Sequence, residues 1–296
     1  MTTYSLIHFT EGYDVQGTIK FAQRLEKLGY DTFWIPELSG RDPVGLAGYL
    51  LANTTKINIG IGIANIYARD FVAAAQTRQT LAELSGGRFV LGLGVSHPIL
   101  VEPRGHEFRP PYNAMGDYLR GIHSVEPDSP KPEQPAPIIC AAHGPKLLEL
   151  VRDHADGALL LNQPSEHTAW SRSIVGPDKK LCVVVRTIME SDPVVARRLA
   201  REALNFYISL PAYHRTWKRA GFDESEFENG GSDRLIDSII AWGDMDAIGA
   251  RIQTHIDAGA DEICLYPINA KEQLEEGQVG GLEPDWEILE ALAPDM

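Results

Sequence analysis

Residues 57–70, INIGIGIANIYARD, constrain the fold more than any other stretch of the chain. Isoleucines at 57, 59, 61 and 63 alternate with Asn58, Gly60 and Gly62, which is the period of a strand. Isoleucine on one face and glycine on the other lets another body approach closely on the glycine side. The alternation stops at Ala64 and Asn65, polar residues follow, and residues 71–84 read as a helix. Strand, short polar turn and helix make one βα unit, with the turn at the strand's carboxyl end, where α/β folds collect their chemistry. The next unit repeats the design: residues 88–93 form a strand, and Gly92, Gly94, Val95, Ser96 and His97 carry the chain out of it.

The same alternation runs through the chain. Strands are expected at residues 4–9, 31–36, 57–63, 88–93, 137–141, 157–161, 180–188 and 262–266, each followed by a segment of helical spacing. Arg41, Asp42 and Pro43 open the second helix, with proline in its first turn. Ser165 is expected to cap the helix after strand six, residues 234–242 read as helical, and Asp244 caps the helix after them. Repeated βα alternation implies a parallel sheet, and eight units imply a closed (β/α)8 TIM barrel. After strand seven the spacing loosens into additional helices, a helical insertion within a single domain of residues 1–296.

Composition narrows the function. Acidic residues outnumber basic ones 41 to 27, for a formal net charge of −14. With no basic run, neither nucleic acid nor an anionic membrane is an expected partner. The first residues lack a basic start and an apolar run, so no signal peptide is expected, and no stretch is long and apolar enough to span a membrane. The three cysteines, Cys140, Cys182 and Cys264, lie in apolar strand-like runs, as buried reduced thiols of a cytoplasmic protein would. No short Cys/His spacing suggests a metal.

Two segments break the rhythm. Residues 95–111 are polar and aperiodic, the pattern of a functional loop, with His106 and Arg109 placed to close over a site. Residues 125–137 are proline-rich and read as a surface excursion. At the strand exits, His97 and His8 are the candidate proton-transfer groups, since histidine titrates near neutral pH. Arg186, ending strand seven, either binds an anion or anchors a loop. Trp34 is read as packing.

The ordered set GYDTFWIPE (29–37), INIGIGIANIYARD (57–70), LAELSGGRFVLGLGVSH (81–97), AAHGPKLLELVRDHADG (141–157) and GSDRLIDSIIAWGD (231–244) resembles the luciferase-like monooxygenase superfamily. Within it, the set is similar to the branch that uses the deazaflavin coenzyme F420. The resemblance spans nearly the whole chain. It implies a deazaflavin at the carboxyl face of the barrel and a non-prolyl cis peptide in a strand-three bulge, falling on Gly62–Ile63 and backing the ring. It places an acidic ring contact on Glu37, a ring-edge contact on Asn65 after Ala64, and phosphate-binding main chain on Ala142, His143 and Gly144, where a helix begins. The loop Gly94, Val95, Ser96 and His97 would flank the coenzyme or substrate. Read from the residues alone, Glu37 is equally a salt-bridged acid and Asn65 a turn cap. Leu38 stands where sugar-phosphate dehydrogenases of the superfamily carry histidine, and His97 where they carry glutamate, so their sugar-phosphate chemistry is not expected.

The resulting expectation is an F420-dependent oxidoreductase that transfers a hydride to or from a small organic substrate, in a homodimer as is common in the family. The alternatives are an FMN-dependent monooxygenase on the same fold and a barrel that binds a deazaflavin or flavin without turnover.

Overall fold

A computed structural model describes residues 2–271 and 283–294. In chain order it has β1 (Thr3–Ile7), α1 (Val15–Lys27), β2 (Thr32–Ile35), α2 (Pro43–Ala52), β3 (Asn58–Asn65), α3 (Phe71–Ser85), β4 (Phe89–Gly94), α4 (Pro98–Val101), α5 (Pro111–Ser124), β5 (Ile138–Ala141), α6 (Pro145–His154), β6 (Gly157–Leu161) and α7 (Ser165–Val175). There follow β7 (Lys180–Met189), α8 (Pro193–Ile208), α9 (Pro211–Arg219), α10 (Asp233–Ile239), β8 (Ile240–Gly243), α11 (Met245–Asp257), β9 (Glu262–Ile268) and α12 (Trp286–Ala291). All strand pairs are parallel. β1 to β7 pair in sequence, and β9 pairs with both β7 and β1, closing an eight-stranded barrel. The TIM barrel expected from the alternation is the fold.

The helices start where short acidic side chains can accept the free N–H groups of a first turn. Asp14, Asp42, Asp70 and Asp244 cap α1, α2, α3 and α11 through Gly17, Gly45, Ala73 and Ala247. Two apolar layers result. Outward strand residues such as Leu6, Phe33, Ile59 and Leu91 pack under the helices. Inward residues, among them Ile7, Trp34, Ile139, Leu159, Cys182, Val184 and Tyr266, fill the barrel. All three cysteines are free and buried, and burial pushes the Cys140 thiol up to about 12. No described helix is long and apolar enough to cross a membrane.

The body that comes close to the glycine face of β3 is Trp34. Trp34 pairs in register with Gly60. A Cβ at Gly60 would lie 2.5 Å from the indole, and one at Gly62 3.0 Å from the Trp34 Cβ. The indole N–H donates to Glu262 at 2.7 Å, and Glu262, wholly buried, pairs with Lys180 at 2.5 Å. The barrel's own tryptophan is thus the body beside both glycines.

Three local expectations also change. Ser165 is the first residue of α7, and Pro164 occupies the cap position with no side-chain bond. Residues 234–242 are not one helix: α10 ends at Ile239, and β8 then pairs with Arg186–Met189 of β7, which runs long enough to offer a second edge. The aperiodic loop contains α4 and a short 3-10 turn, Glu102–Arg104. The insertion after β7 has its own core of Leu204, Ile208, Tyr213, Trp217, Phe227, Leu235 and Ile236.

Candidate active site

The bulge falls where the alternation breaks. Ile61 pairs with Leu91 and Ala64 with Leu93, so β3 spends one residue more than β4 over this interval. The Gly62–Ile63 peptide is cis. Two glycines of β4 make the bulge possible. A Cβ at Gly92 would lie 1.9 Å from the Ile61 carbonyl oxygen, and one at Gly94 2.2 Å from Ile63 Cδ1. Ile63 therefore lies across Gly94 at the barrel mouth, in the inner apolar layer. Ala64 points outward and is buried.

Beyond the bulge, Asn65 makes a tight turn. Its Oδ1 accepts the Tyr67 N–H at 3.0 Å, and its own N–H donates to Glu37 at 2.8 Å. The Glu37 carboxylate also accepts from Arg69 at 2.9 and 3.0 Å. Both Glu37 oxygens are thus engaged by the chain itself, so the salt-bridged reading of Glu37 holds, with Arg69 as the cation. Arg41 instead donates to the carbonyls of Thr10 and Tyr13. Glu37 and Asn65 brace the bulge as a salt-bridged acid and a turn cap.

His97 and His143 meet at the mouth. Ser96, with φ at 58°, turns the chain so that His97 enters α4 in an extended conformation. Backbone strain of this kind gathers at functional sites. The His97 ring sits 6.2 Å from both Phe206 and Tyr213, and Tyr213 lies 5.6 Å from His143. Burial lowers the pKa of His97, so the imidazole is neutral at neutral pH. His143 is pushed down to about 3 by burial, then by His167 and His97. Its carbonyl accepts from His167 Nε2 at 3.0 Å, while its Nδ1 is buried without a partner among the described residues. Val95 is half-buried against the outer core.

His8 does not join them. β1 alternates Leu6 outward and Ile7 inward, so the next residue faces the helices. The His8 ring stacks on Phe21 of α1 at 5.4 Å and 15° and meets Tyr13 edge-on. A proton-transfer group must reach its substrate, and His8 lies behind the strand; its catalytic assignment is corrected to packing. His106 and Arg109 are exposed, and the His106 ring lies 6.1 Å from that of Tyr67. The Arg109 N–H binds the Tyr67 hydroxyl at 3.0 Å and its exposed guanidinium pairs with Asp117.

The amino end of α6 suits a phosphate. Gly144 takes the cap position with no side-chain cap, Pro145 follows, and a Cβ at Gly144 would meet nothing within 4 Å. Free N–H groups and the helix dipole favour an anion there, beside the buried main chain of Ala142 and the unpartnered His143 Nδ1.

Residues that the sequence did not single out complete the mouth. Phe206 and Tyr207 of α8 and Tyr213 and Trp217 of α9 form a continuous aromatic wall over the exits of β4 to β7. Asn162 leaves β6 with φ at 54° and accepts Trp217 Nε1 at 2.9 Å through its carbonyl. Asparagine at a strand exit is the available signal for such a turn. The α8–α9 aromatics had no local signal to indicate which of them meet the barrel.

Comparison with known proteins agrees with this architecture. The chain is 25% identical to a 5,10-methylenetetrahydromethanopterin reductase of Methanolobus tindarius, over 91% of this chain and 89% of that one. Among solved structures, an F420-dependent secondary alcohol dehydrogenase in complex with an F420-acetone adduct superposes with a TM-score of 0.72 at 17% identity, covering 91% of this chain and 93% of that one. The oxygenating constituent of 3,6-diketocamphane monooxygenase from Pseudomonas putida, in complex with FMN, superposes at 0.64 with 15% identity, covering 90% and 91%. The family described as luciferase-like monooxygenase matches residues 3–262, and with a closed barrel, a β3 bulge and strand exits gathered under an aromatic insertion, this chain belongs to that family of enzymes.

Proposed function

We propose that this protein is an F420-dependent oxidoreductase that moves a hydride between the deazaflavin and a small organic substrate. The observation that carries the reading is the uncapped amino end of α6, open at Gly144 beside the buried, unpartnered Nδ1 of His143. Similarity along nearly the whole chain to a methylenetetrahydromethanopterin reductase supports the choice of coenzyme. The residues fit the group: the main chain of Ala142, His143 and Gly144 would hold its phosphate, Ile63 at the bulge would back the ring, and Gly94, Val95 and Ser96 would flank it. Bound F420 supplies a hydride-carrying carbon and reacts poorly with oxygen. The chain contributes position and proton transfer. His97, neutral and set in an aromatic wall, takes up the proton released when substrate is oxidised and returns it in the opposite direction.

FMN also carries a phosphate, and an FMN-bound monooxygenase shares the fold. Equilibrium fluorescence titration of the purified protein with F420 and with FMN decides between them. Submicromolar F420 binding with FMN at least about a hundredfold weaker is expected; the reverse order would make the protein an FMN-dependent monooxygenase. The reading includes a cytoplasmic homodimer, which sedimentation at micromolar concentration and cell fractionation test.

A further inference from the structure

Arg186 is a buried cation at the barrel mouth. It stands on the inward face of β7, two residues beyond Val184 of the inner layer, and is 4% exposed. Its guanidinium lies over the ring of Tyr266 at 4.2 Å and that of Tyr207 at 5.1 Å. Its Nε donates to Asn162 Oδ1 at 2.9 Å. Among the described residues no carboxylate pairs with it. Burying a charge without a counter-charge is unfavourable, and two ring faces compensate only in part. Tyr207 and Tyr266 pack against the guanidinium, Tyr266 also within hydrogen-bonding reach of it, and the remaining Nη donors are left for a ligand. Beside them, the Nδ2 of Asn162 is buried with no partner among the described residues, and Asn162 is 2% exposed.

We propose that Arg186 and Asn162 form the subsite for a substrate carboxylate, so that the substrate is an organic acid with an apolar or aromatic body. The planar fork of an arginine with one amide donor matches a single carboxylate, which takes two parallel N–H bonds. Tyr207, Tyr213 and Tyr266 offer the apolar wall on which the rest of such a molecule would lie. The inference rests on reading the strand exits as the reaction site. It is separable from the coenzyme assignment, because the α6 end lies at a different strand exit from Arg186.

The test uses benzoate as the acid, benzamide as its neutral isostere and inorganic phosphate as the competing anion. Each is titrated calorimetrically into the purified full-length protein, and F420 affinity is measured on the same samples. Benzoate should bind at least about tenfold more tightly than benzamide or phosphate. Arg186→Met should lose that preference while F420 affinity stays within about twofold. Arg186→Lys keeps the charge without the fork and should show an intermediate loss. Asn162→Asp places a carboxylate of the chain beside Arg186; it should abolish benzoate binding and raise the melting temperature, and so remains informative if Arg186→Met does not fold. Equal binding of benzoate and benzamide, tighter binding of phosphate, or parallel loss of benzoate and F420 binding in Arg186→Met would each overturn the proposal. If benzoate binds as expected and F420 does not bind at all, the carboxylate subsite stands and the coenzyme reading fails.

Discussion

The Glu37 carboxylate accepts the backbone N–H of Asn65 at 2.8 Å, tying the exit of β2 to the far side of the β3 bulge. The same carboxylate holds Arg69, and both side chains are largely buried. Glu37→Ala would leave an amide and a guanidinium without their main partner, although Arg69 keeps Asp42. A loss of about 2 kcal/mol is expected, below the usual cost for a fully buried pair. Chemical denaturation measures it. A variant as stable as wild type would show that the staple does not brace the bulge.

Gly92 and Gly144 should respond oppositely to alanine. A Cβ at Gly92 meets a backbone oxygen at 1.9 Å, and that oxygen belongs to the bulge and cannot rotate away. Gly92→Ala is expected to cost about 3 kcal/mol or more, the upper range for overpacking. At Gly144 the new methyl meets nothing, so the melting temperature should stay unchanged. The methyl would stand at the amino end of α6, and F420 affinity should fall by about tenfold if the phosphate sits there. Unchanged affinity would move the phosphate elsewhere.

The barrel was legible because strand and helix periods alternate through the chain; the bulge was expected only from the resemblance to the luciferase-like family. The chemistry at the bulge was less legible. Which body fills the glycine face of β3 depends on the register that sets Trp34 opposite Gly60, and a single strand does not carry that register. His8 looked like an exit residue, but one step of alternation decides whether it faces the mouth or Phe21, and a short strand leaves that phase open. Residues 240–243 are an apolar run that suits helix or strand equally, and only the long edge of β7 decides it. Arg186 was visible as a charge in an apolar strand; its lack of a counter-ion among the described residues is a property of the folded neighbourhood.

His97 should control turnover and leave binding alone. Its ring stands beside Phe206 and Tyr213 of the aromatic wall, and it contributes no main chain to the α6 end. His97→Ala is expected to lower kcat by about a hundredfold, within the usual contribution of a proton-transfer group, with F420 affinity unchanged. Burial depresses its pKa below the ordinary 6.5, so the neutral ring is the majority form at pH 6.5. Substrate oxidation, which needs the neutral form, should decline on acidification at lower pH than a free imidazole would set. The variant should lack this inflection. A normal kcat in His97→Ala would remove the assignment.

Stability should fall on mild acidification because of buried histidines. His167 and His255 are each held at about 4 by burial, with the charges of Arg219 and Arg251 acting in the same direction and the His143 carbonyl opposing at His167, and His143 lies lower still. In the unfolded chain each titrates near 6.5. Between those values the unfolded chain binds more protons than the folded one, so stability is complete above pH 6.5 and declines as pH falls through the window. The slope approaches about 1.4 kcal/mol per pH unit for each such histidine. The carboxylates with lowered pKa, such as Glu226 and Asp237, add their losses only below their ordinary values near 4. Denaturation midpoints at pH 7.5, 6.5 and 5.5 therefore isolate the histidines. In His255→Asn the amide oxygen can still accept the Thr168 hydroxyl that now binds His255 Nδ1 at 2.9 Å. That variant should show a shallower decline, by about one proton; an unchanged slope would mean that His255 does not titrate in this range.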